Sequence, residues 1–346
     1  MLTYLHIPFC DSKCYYCAFN SYVDKFSHRK NYMKAIAVQL KYELKKFNPK
    51  LKSIKSLFIG GGTPSTIEPY MYKEFFDILN PYLTDNAEIT TEANPNSASL
   101  QWLKGMKELG VNRVSFGVQS FDEKKLKKLG RNHSKEQAIN VIQNAYKIGI
   151  KNISCDLIYA TSFDVKDDIK TALSLPINHI SSYALTLEEN TPFFGKIELL
   201  NDSTTLAKEF IDQITKKFEH YEISNFGNYK SVHNLGYWSG DDYIGVGAGA
   251  VGFLKNTRFY PHQDIQMYIK NPIYAEVEKL THEELITEKI FLGLRCEIGI
   301  KMNILTKQQK SKVAILLSEK KLICKEEILY NNNFLLADEI ALYIIS

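Results

Sequence analysis

Along the first 190 residues the apolar positions change their period again and again. Short runs rich in β-branched and aromatic residues fall at 2–6, 56–60, 88–92, 113–117, 153–157 and 180–184. Between them lie stretches whose apolar residues recur at steps of three and four, the spacing of one helix face. The clearest comes first: Met33, Ile36, Ala37, Leu40, Leu44 and Phe47 share a face. Similar patterns predict helices over 71–79, 100–109, 135–148 and 165–174. Strand and helix in regular alternation predict a parallel sheet with right-handed crossovers, hence an α/β fold. Residues of site-like chemistry at both ends of the series favour a curved or closed barrel over a flat sheet.

After Pro192 the alternation fades. A helix over 204–217 leads to a strand-like 222–226 and then to the Gly-rich passage 245–252. The last 60 or so residues read differently again. Helices over 284–294 and 307–319 precede two apolar runs, 322–329 and 334–336, joined at the asparagines 331–333. Two helices and a hairpin suggest a small winged-helix-like module. The expected organisation is thus 1–200, a connecting region 201–280, and a C-terminal module 281–346. Lysines 307, 310, 312, 320, 321 and 325 read as a solvated face rather than a nucleic-acid contact.

Bulk composition changes this picture little. The 346 residues are 45% hydrophobic and 24% charged, with a net charge of +4, so nothing in the overall balance asks for nucleic acid. No apolar run reaches the roughly 18 residues of a membrane span. The start lacks a basic n-region, and no signal peptide is expected. Of six cysteines, Cys155, Cys296 and Cys324 are isolated, which excludes a secreted disulfide framework and makes the cytoplasm the expected compartment.

The other three cysteines carry the chemistry. Cys10, Cys14 and Cys17 follow the first strand with the spacing C-x3-C-x2-C. As a zinc site they would need a fourth ligand, for which His6 is available, but no second knuckle exists. Three thiolates fit a four-iron cluster better, and they leave one iron open to a non-protein ligand. A glycine triplet, Gly60, Gly61 and Gly62, then Thr63, ends the second strand. Glycine admits close backbone approach and positive φ, although a tight turn explains a bare triplet as well. Glu92, Gln119, Arg131 and Asp156 stand at or beyond the ends of successive strands, where barrels assemble their sites. Each taken alone also reads as a cap, turn or salt-bridge residue.

These residues together resemble the radical S-adenosylmethionine superfamily, and Tyr4-x-His6-Ile-Pro-Phe-Cys10 is similar to its coproporphyrinogen dehydrogenase group. The resemblance covers essentially the whole chain. It implies a partial (β/α)6 TIM-type barrel with a C-terminal helical, winged-helix-like region. It also implies a [4Fe–4S] cluster on Cys10, Cys14 and Cys17, with S-adenosylmethionine chelating the open iron. The positions matching the family's S-adenosylmethionine contacts are Tyr4, Tyr16, Gly61, Gly62, Thr63, Glu92, Gln119, Arg131 and Asp156. Ala184 and Val251 also match, on small apolar residues alone.

Phe19 divides the resemblance. True dehydrogenases carry a fourth cysteine at that position and an extension ahead of the cluster, whereas only nine residues precede Cys10 here. Both departures resemble the HemW-type heme chaperones. So does the segment His233-Asn-Leu-Gly-Tyr-Trp238, which matches a motif linked in that family with heme. A neutral imidazole can ligate heme iron, and Tyr237 and Trp238 offer flat apolar faces. A loop-bonding His233 and a core Trp238 explain the same residues. The resemblance implies a carrier that passes heme to apo-hemoproteins, with respiratory enzymes at the membrane as recipients. It admits a homodimer, a peripheral membrane location and no nucleic acid. Two alternatives stay open: oxidative decarboxylation of coproporphyrinogen III to protoporphyrinogen IX, and radical chemistry on another substrate.

Overall fold

The computed structural model describes residues 1–163, 165–201 and 204–346. Six parallel strands form its centre: β1 (Leu2–Ile7), β2 (Ile54–Gly61), β3 (Leu83–Ala93), β4 (Arg113–Gln119), β5 (Asn152–Tyr159) and β6 (His179–Ala184). They pair in sequence order, and all six coincide with the runs expected from the sequence. The helices between them are α1 (Arg29–Phe47), α2 (Pro69–Leu79), α3 (Leu100–Glu108), α4 (Glu123–Leu129), α5 (Lys135–Lys147) and α6 (Lys166–Ser174). Of these, α4 is additional to the sequence reading. Its charged run EKKLKKL leaves only Leu126 and Leu129 as apolar markers.

The region after α6 extends the sheet at both edges. Helix α7 (Thr204–Ile214) is followed by β7 (His220–Glu222) and β8 (Asn225–Gly227), which pair antiparallel on the β6 side. After the short α8 (Val232–Trp238) the chain returns to β1, where β9 (Tyr243–Val246) adds a seventh parallel strand. Antiparallel β10 (Gly252–Leu254), β11 (Thr257–Tyr260) and β12 (Glu276–Lys279) complete that edge, with α9 (Ile265–Lys270) between the last two. The result is one open twelve-stranded sheet with β12 and β7 at its edges. Among the described residues the closed barrel that the sequence also admitted does not form.

Alternation along the strands sorts residues by face. Leu5, Ile7, Leu57, Ile59, Val114, Phe116, Ile153 and Leu157 join the core beneath the helices. Tyr4, Phe58, Thr90, Glu92, Arg113, Ser115, Ser154, Asp156 and His179 occupy the other face. A packed barrel interior is normally filled by Val, Ile and Leu; this one is aromatic and polar.

The C-terminal residues form α10 (His282–Leu294), β13 (Ile300–Lys301), α11 (Lys307–Ser318), β14 (Leu322–Lys325), β15 (Ile328–Asn331) and α12 (Ala337–Ile345). They enclose a second, separate apolar cluster that includes Leu294, Val313, Leu316 and Leu329. The sequence misplaced the hairpin here. Its turn is Glu326–Glu327, both at positive φ, and not the asparagines 331–333. Residues 334–336 form a 3-10 turn into α12. The asparagines serve other purposes: Asn331 Nδ2 donates to Leu294 O at 2.9 Å, and Asn333 Oδ1 accepts from Leu335 N.

Candidate functional site

The cysteines lie on the loop that leaves β1 at the carboxyl end of the sheet. Backbone bonds pin this loop: Cys10 N to Tyr22 O, Tyr22 N to Pro8 O, and Tyr15 N to Leu129 O. Around the sulfurs a small polar network converges. The Thr63 hydroxyl donates to Cys10 Sγ at 3.4 Å, and Arg131 Nη1 to Cys14 Sγ at 3.1 Å. Asn94 ties the two together, its Nδ2 donating to Thr63 Oγ1 and its Oδ1 accepting from Arg131 Nη2. Asn94 was not singled out from the sequence, although Asn before Pro beyond a strand end is a turn signal.

Several observations test whether this set fits an iron–sulfur cluster. Gly62 has no room for a side chain: a Cβ there would stand 3.0 Å from Cys10 Sγ and 2.8 Å from Phe9 O. The backbone of the glycine turn therefore closes directly on the cysteine loop. Burial raises the Cys10 and Cys17 thiols above the ordinary range, and bound iron would offset that cost by holding them as thiolates. His6, the candidate fourth zinc ligand, is engaged at both nitrogens. It accepts from the Tyr4 hydroxyl at 2.9 Å and donates from Nε2 to Asn20 O at 2.9 Å. Among the described residues no three His, Cys, Asp or Glu side chains stand close enough to share one metal ion, as a zinc site with bonds of about 2.3 Å requires. Thiolates that each bind a different iron need not converge in that way. The donors fit the cluster.

Further into the sheet two carboxylates face each other's field. Glu92 stands one residue before the end of β3 and accepts from Gly61 N at 3.0 Å. Its carboxyl is pushed up to about 8 by burial first and by Asp156 second. Asp156 is also raised, by burial, against hydrogen bonds from Ser115 and Ser181 that favour its charged form. Neither carboxylate has a salt-bridge partner among the described residues, so the pair presents spare acceptors to a cation. Gly61, at φ +115°, packs its α-carbon against the His6 ring, where a Cβ would collide. Gln119, at φ +68°, closes a bulge in β4, and its amide, Arg131 and Asn94 each stand over Gly117 where a Cβ would be. Tyr16 is half-buried beside Arg131. Ala184 ends β6. Val251 follows the glycine turn that packs over the end of β1, where Gly247 has no room for a Cβ beside His6 O. Most of these positions thus lie toward the carboxyl end of the sheet, while Tyr4 sits deeper, in register with Phe58 and stacked on its ring.

The segment 233–238 does not join them. It forms α8, at the opposite, amino end of the strands. Gly236 packs on Leu2, and His233 Nδ1 pairs with Ser56 Oγ at 2.8 Å. Ser56 lies five residues before Gly61, about 16 Å along an extended strand. The His233 ring is 1% exposed, stacked on Phe58 at 5.1 Å with the Tyr237 edge at 4.7 Å. Burial lowers its pKa to about 3, so it is neutral, and Nε2 has no partner. The Trp238 indole N–H is buried and unpaired as well. Presenting these rings to a macrocycle requires α8 to move.

What anchors α8 escaped the sequence reading. Glu88, buried in β3, accepts from Val232 N, His233 N and Ser231 Oγ at 2.9–3.3 Å. A polar column then climbs from this floor toward the carboxylates. Ser231 N donates to Tyr221 Oη, which pairs with His179 Nε2 at 2.7 Å. His179 Nδ1 meets Ser154 Oγ at 2.8 Å and the buried Arg113 at 3.4 Å. Ser154 reaches Asp156 at 3.5 Å.

A family model described as the Radical SAM superfamily matches residues 4–175. The chain is 36% identical to the heme chaperone HemW of Bacillus subtilis, an alignment covering 86% of this chain and 84% of that one. It is 33% identical to the mitochondrial radical S-adenosyl methionine domain-containing protein 1 of Danio rerio, over 86% and 73% of the two chains. Among solved structures, coproporphyrinogen III oxidase (HemN) from Escherichia coli superposes with a TM-score of 0.81. That match covers 99% of this chain and 89% of that one at 19% identity, and it bears on the fold alone.

Proposed function

The chain belongs to the HemW heme chaperone family of the radical SAM superfamily, and from that membership we propose that it binds heme and passes it to apo-hemoproteins. The observation that carries the reading is the kinship with HemW at 36% identity across most of both chains. Phe19, where a dehydrogenase of the group would carry a fourth cysteine, argues in the same direction.

In this reading Cys10, Cys14 and Cys17 hold a [4Fe–4S] cluster, which when bound supplies one-electron chemistry and an open iron for S-adenosylmethionine. The protein's part is orientation and charge. Arg131 and Thr63 donate to the sulfurs of Cys14 and Cys10. Hydrogen bonds of this kind stabilise thiolate charge. Glu92 and Asp156 supply acceptors for a cationic group, while Gly61 and Gly62 let a ligand approach the backbone. Tyr4, Tyr16, Gln119, Ala184 and Val251 complete the cofactor contacts. His233, Tyr237 and Trp238 contribute to heme contact by displacement of α8.

Cytoplasmic residence with peripheral contact at the membrane fits respiratory recipients, and no helix of the described residues is long and apolar enough to cross a bilayer. Nucleic acid is not a partner in this reading: the hairpin tip of the C-terminal module carries Glu326 and Glu327, which phosphates would repel.

The test loads the purified, anaerobically reconstituted protein with heme, removes free heme and adds an apo-hemoprotein. Growth of the recipient's heme spectrum is the expected result, and heme that stays on the carrier counts against the proposal. Robust conversion of coproporphyrinogen III by the same preparation would replace it with the dehydrogenase reading.

A further inference from the structure

Asn94 stands between the donors of two cysteine sulfurs, and the chemistry of its amide leaves it one orientation. Its backbone is fixed on both sides. Asn94 N donates to Ser65 Oγ at 3.1 Å, and Asn94 O accepts from Ser97 N at 3.1 Å and Ala98 N at 3.0 Å. Pro95 disfavours helical backbone at the residue before it. From this base the side chain reaches Thr63 on one side and Arg131 on the other. Arg131 Nη2 donates to Asn94 Oδ1 at 2.8 Å, and Asn94 Nδ2 donates to Thr63 Oγ1 at 3.1 Å. Arginine has donors only, so turning the amide over would set N–H against N–H on the Arg131 side.

The direction of the next two bonds follows from that orientation. Thr63 is buried and has one hydroxyl hydrogen. Because Asn94 presents a donor, the hydroxyl cannot give its hydrogen there, and Cys10 Sγ, 3.4 Å away, receives it. On the other side the bond to Oδ1, with a second to Gly117 O, holds the planar guanidinium so that Nη1 meets Cys14 Sγ at 3.1 Å. Asn94 thus gives its amide to Thr63 and Arg131 and acts on the sulfurs through them. Hydrogen bonds to the ligand sulfurs of an iron–sulfur cluster stabilise the electron it gains and raise its reduction potential.

We propose that Asn94 is a positioning residue for the iron–sulfur centre: its amide aims the Thr63 hydroxyl at Cys10 and the Arg131 guanidinium at Cys14, and so holds up the reduction potential of the cluster. The assignment rests on the cluster reading given above and adds to it a residue outside the cysteine loop. Two substitutions separate direction from shape. Asn94→Asp keeps the outline of the side chain, but a carboxylate only accepts, so it takes the Thr63 hydrogen that Cys10 now receives. Thr63→Val keeps the outline of the threonine and removes the donor outright.

The experiment is a redox titration of the full-length, anaerobically reconstituted protein without S-adenosylmethionine, followed by the electron paramagnetic resonance signal of the reduced cluster. Iron and sulfide content is measured first, and each potential is read on the fraction that loads. Asn94→Ala, Asn94→Asp and Thr63→Val should each shift the midpoint to more negative values than wild type. Asn94→Asp also brings a charge, which lowers the potential by itself, so it is repeated in the Thr63→Val background. There its drop should be smaller, because the hydroxyl it redirects is gone. A residue that merely supports the fold would change cluster content or melting temperature and leave the midpoint of the loaded fraction in place. A wild-type midpoint in Asn94→Ala would overturn the role, and so would an Asn94→Asp drop undiminished by Thr63→Val. Thr63→Val tests the same bond with Asn94 intact: a wild-type midpoint there removes the Cys10 donor on which the role depends. A wild-type protein that takes up no iron and sulfide would remove the cluster reading itself, so the two failures are distinguishable.

Discussion

At the scale of single residues, Glu92 shows how strongly position governs chemistry here. On the strand's other face it would be a solvated or clashing carboxylate. Facing the interior beside Asp156, its carboxyl is pushed up to about 8 by burial and by that neighbour, against the hydrogen bond from Gly61. The folded state therefore binds a proton that the unfolded chain releases near 4.5, and stability falls as pH rises through that window. Glu222, raised by burial to about 7, adds to the fall. Burial lowers the pKa values of histidines 6, 133, 179 and 233 and of the partly buried His220; these act with the opposite sign, but only below about 6.5. Between about pH 6.5 and 8 the carboxyls are opposed only by the Met1 amine, which burial lowers from 8.0. The metal-free protein should melt at a lower temperature at pH 8 than at 6.5, and Glu92→Gln should flatten that slope. An unchanged slope in the variant would show that Glu92 is ionised throughout. The sequence located Glu92 at a strand end; its perturbation follows only from which residue the fold places opposite.

Among elements, α8 is the most dependent on its surroundings. Seven residues cannot sustain a helix in water, so its persistence rests on Ser231 as N-cap, on packing against Leu2, and on the buried carboxylate of Glu88 at its first turn. Glu88→Ala leaves Val232 N–H, His233 N–H and the Ser231 hydroxyl without that acceptor, which should cost about 1–3 kcal/mol. Denaturant unfolding measures the loss. In a Trp102→Phe background, Trp238 emission reports whether α8 has loosened, and a spectrum identical to the parent's would remove Glu88 as its anchor. Neither partner announces the other in the sequence, since 143 residues separate Glu88 from Ser231. The misread hairpin has a related cause. Asn331–Asn333 carries the stronger turn composition, yet pairing of Cys324 with Leu329 fixes the register about Glu326–Glu327, because that alignment buries Leu322 and Leu329 in the second core.

For the molecule as a whole, two apolar clusters matter most. One unites the parallel strands, α1 to α3 and residues as late as Tyr268; the other is confined to residues after Leu280. The regions meet through backbone bonds such as Ile223 N to Arg295 O and Glu297 N to Tyr221 O. A large-to-small change in the second cluster should therefore unfold that part first. Leu316→Ala should cost about 2–5 kcal/mol and add an early transition to the melting curve, while the protein still takes up iron and sulfide at the three cysteines. Loss of cluster uptake together with that early transition would mean that the regions unfold as one.

The sequence by itself determined the six parallel strands, most of their helices and the three thiols, because hydrophobic period and cysteine spacing are local. It also named most of the residues at the mouth, since strand ends are readable and glycines there have few other uses. What only the tertiary structure decided is which polar residues meet. Strand β9 returns from position 243 to lie parallel against β1, a pairing that no local pattern encodes. The same non-local closure buries His233 beneath the interior rather than at its mouth.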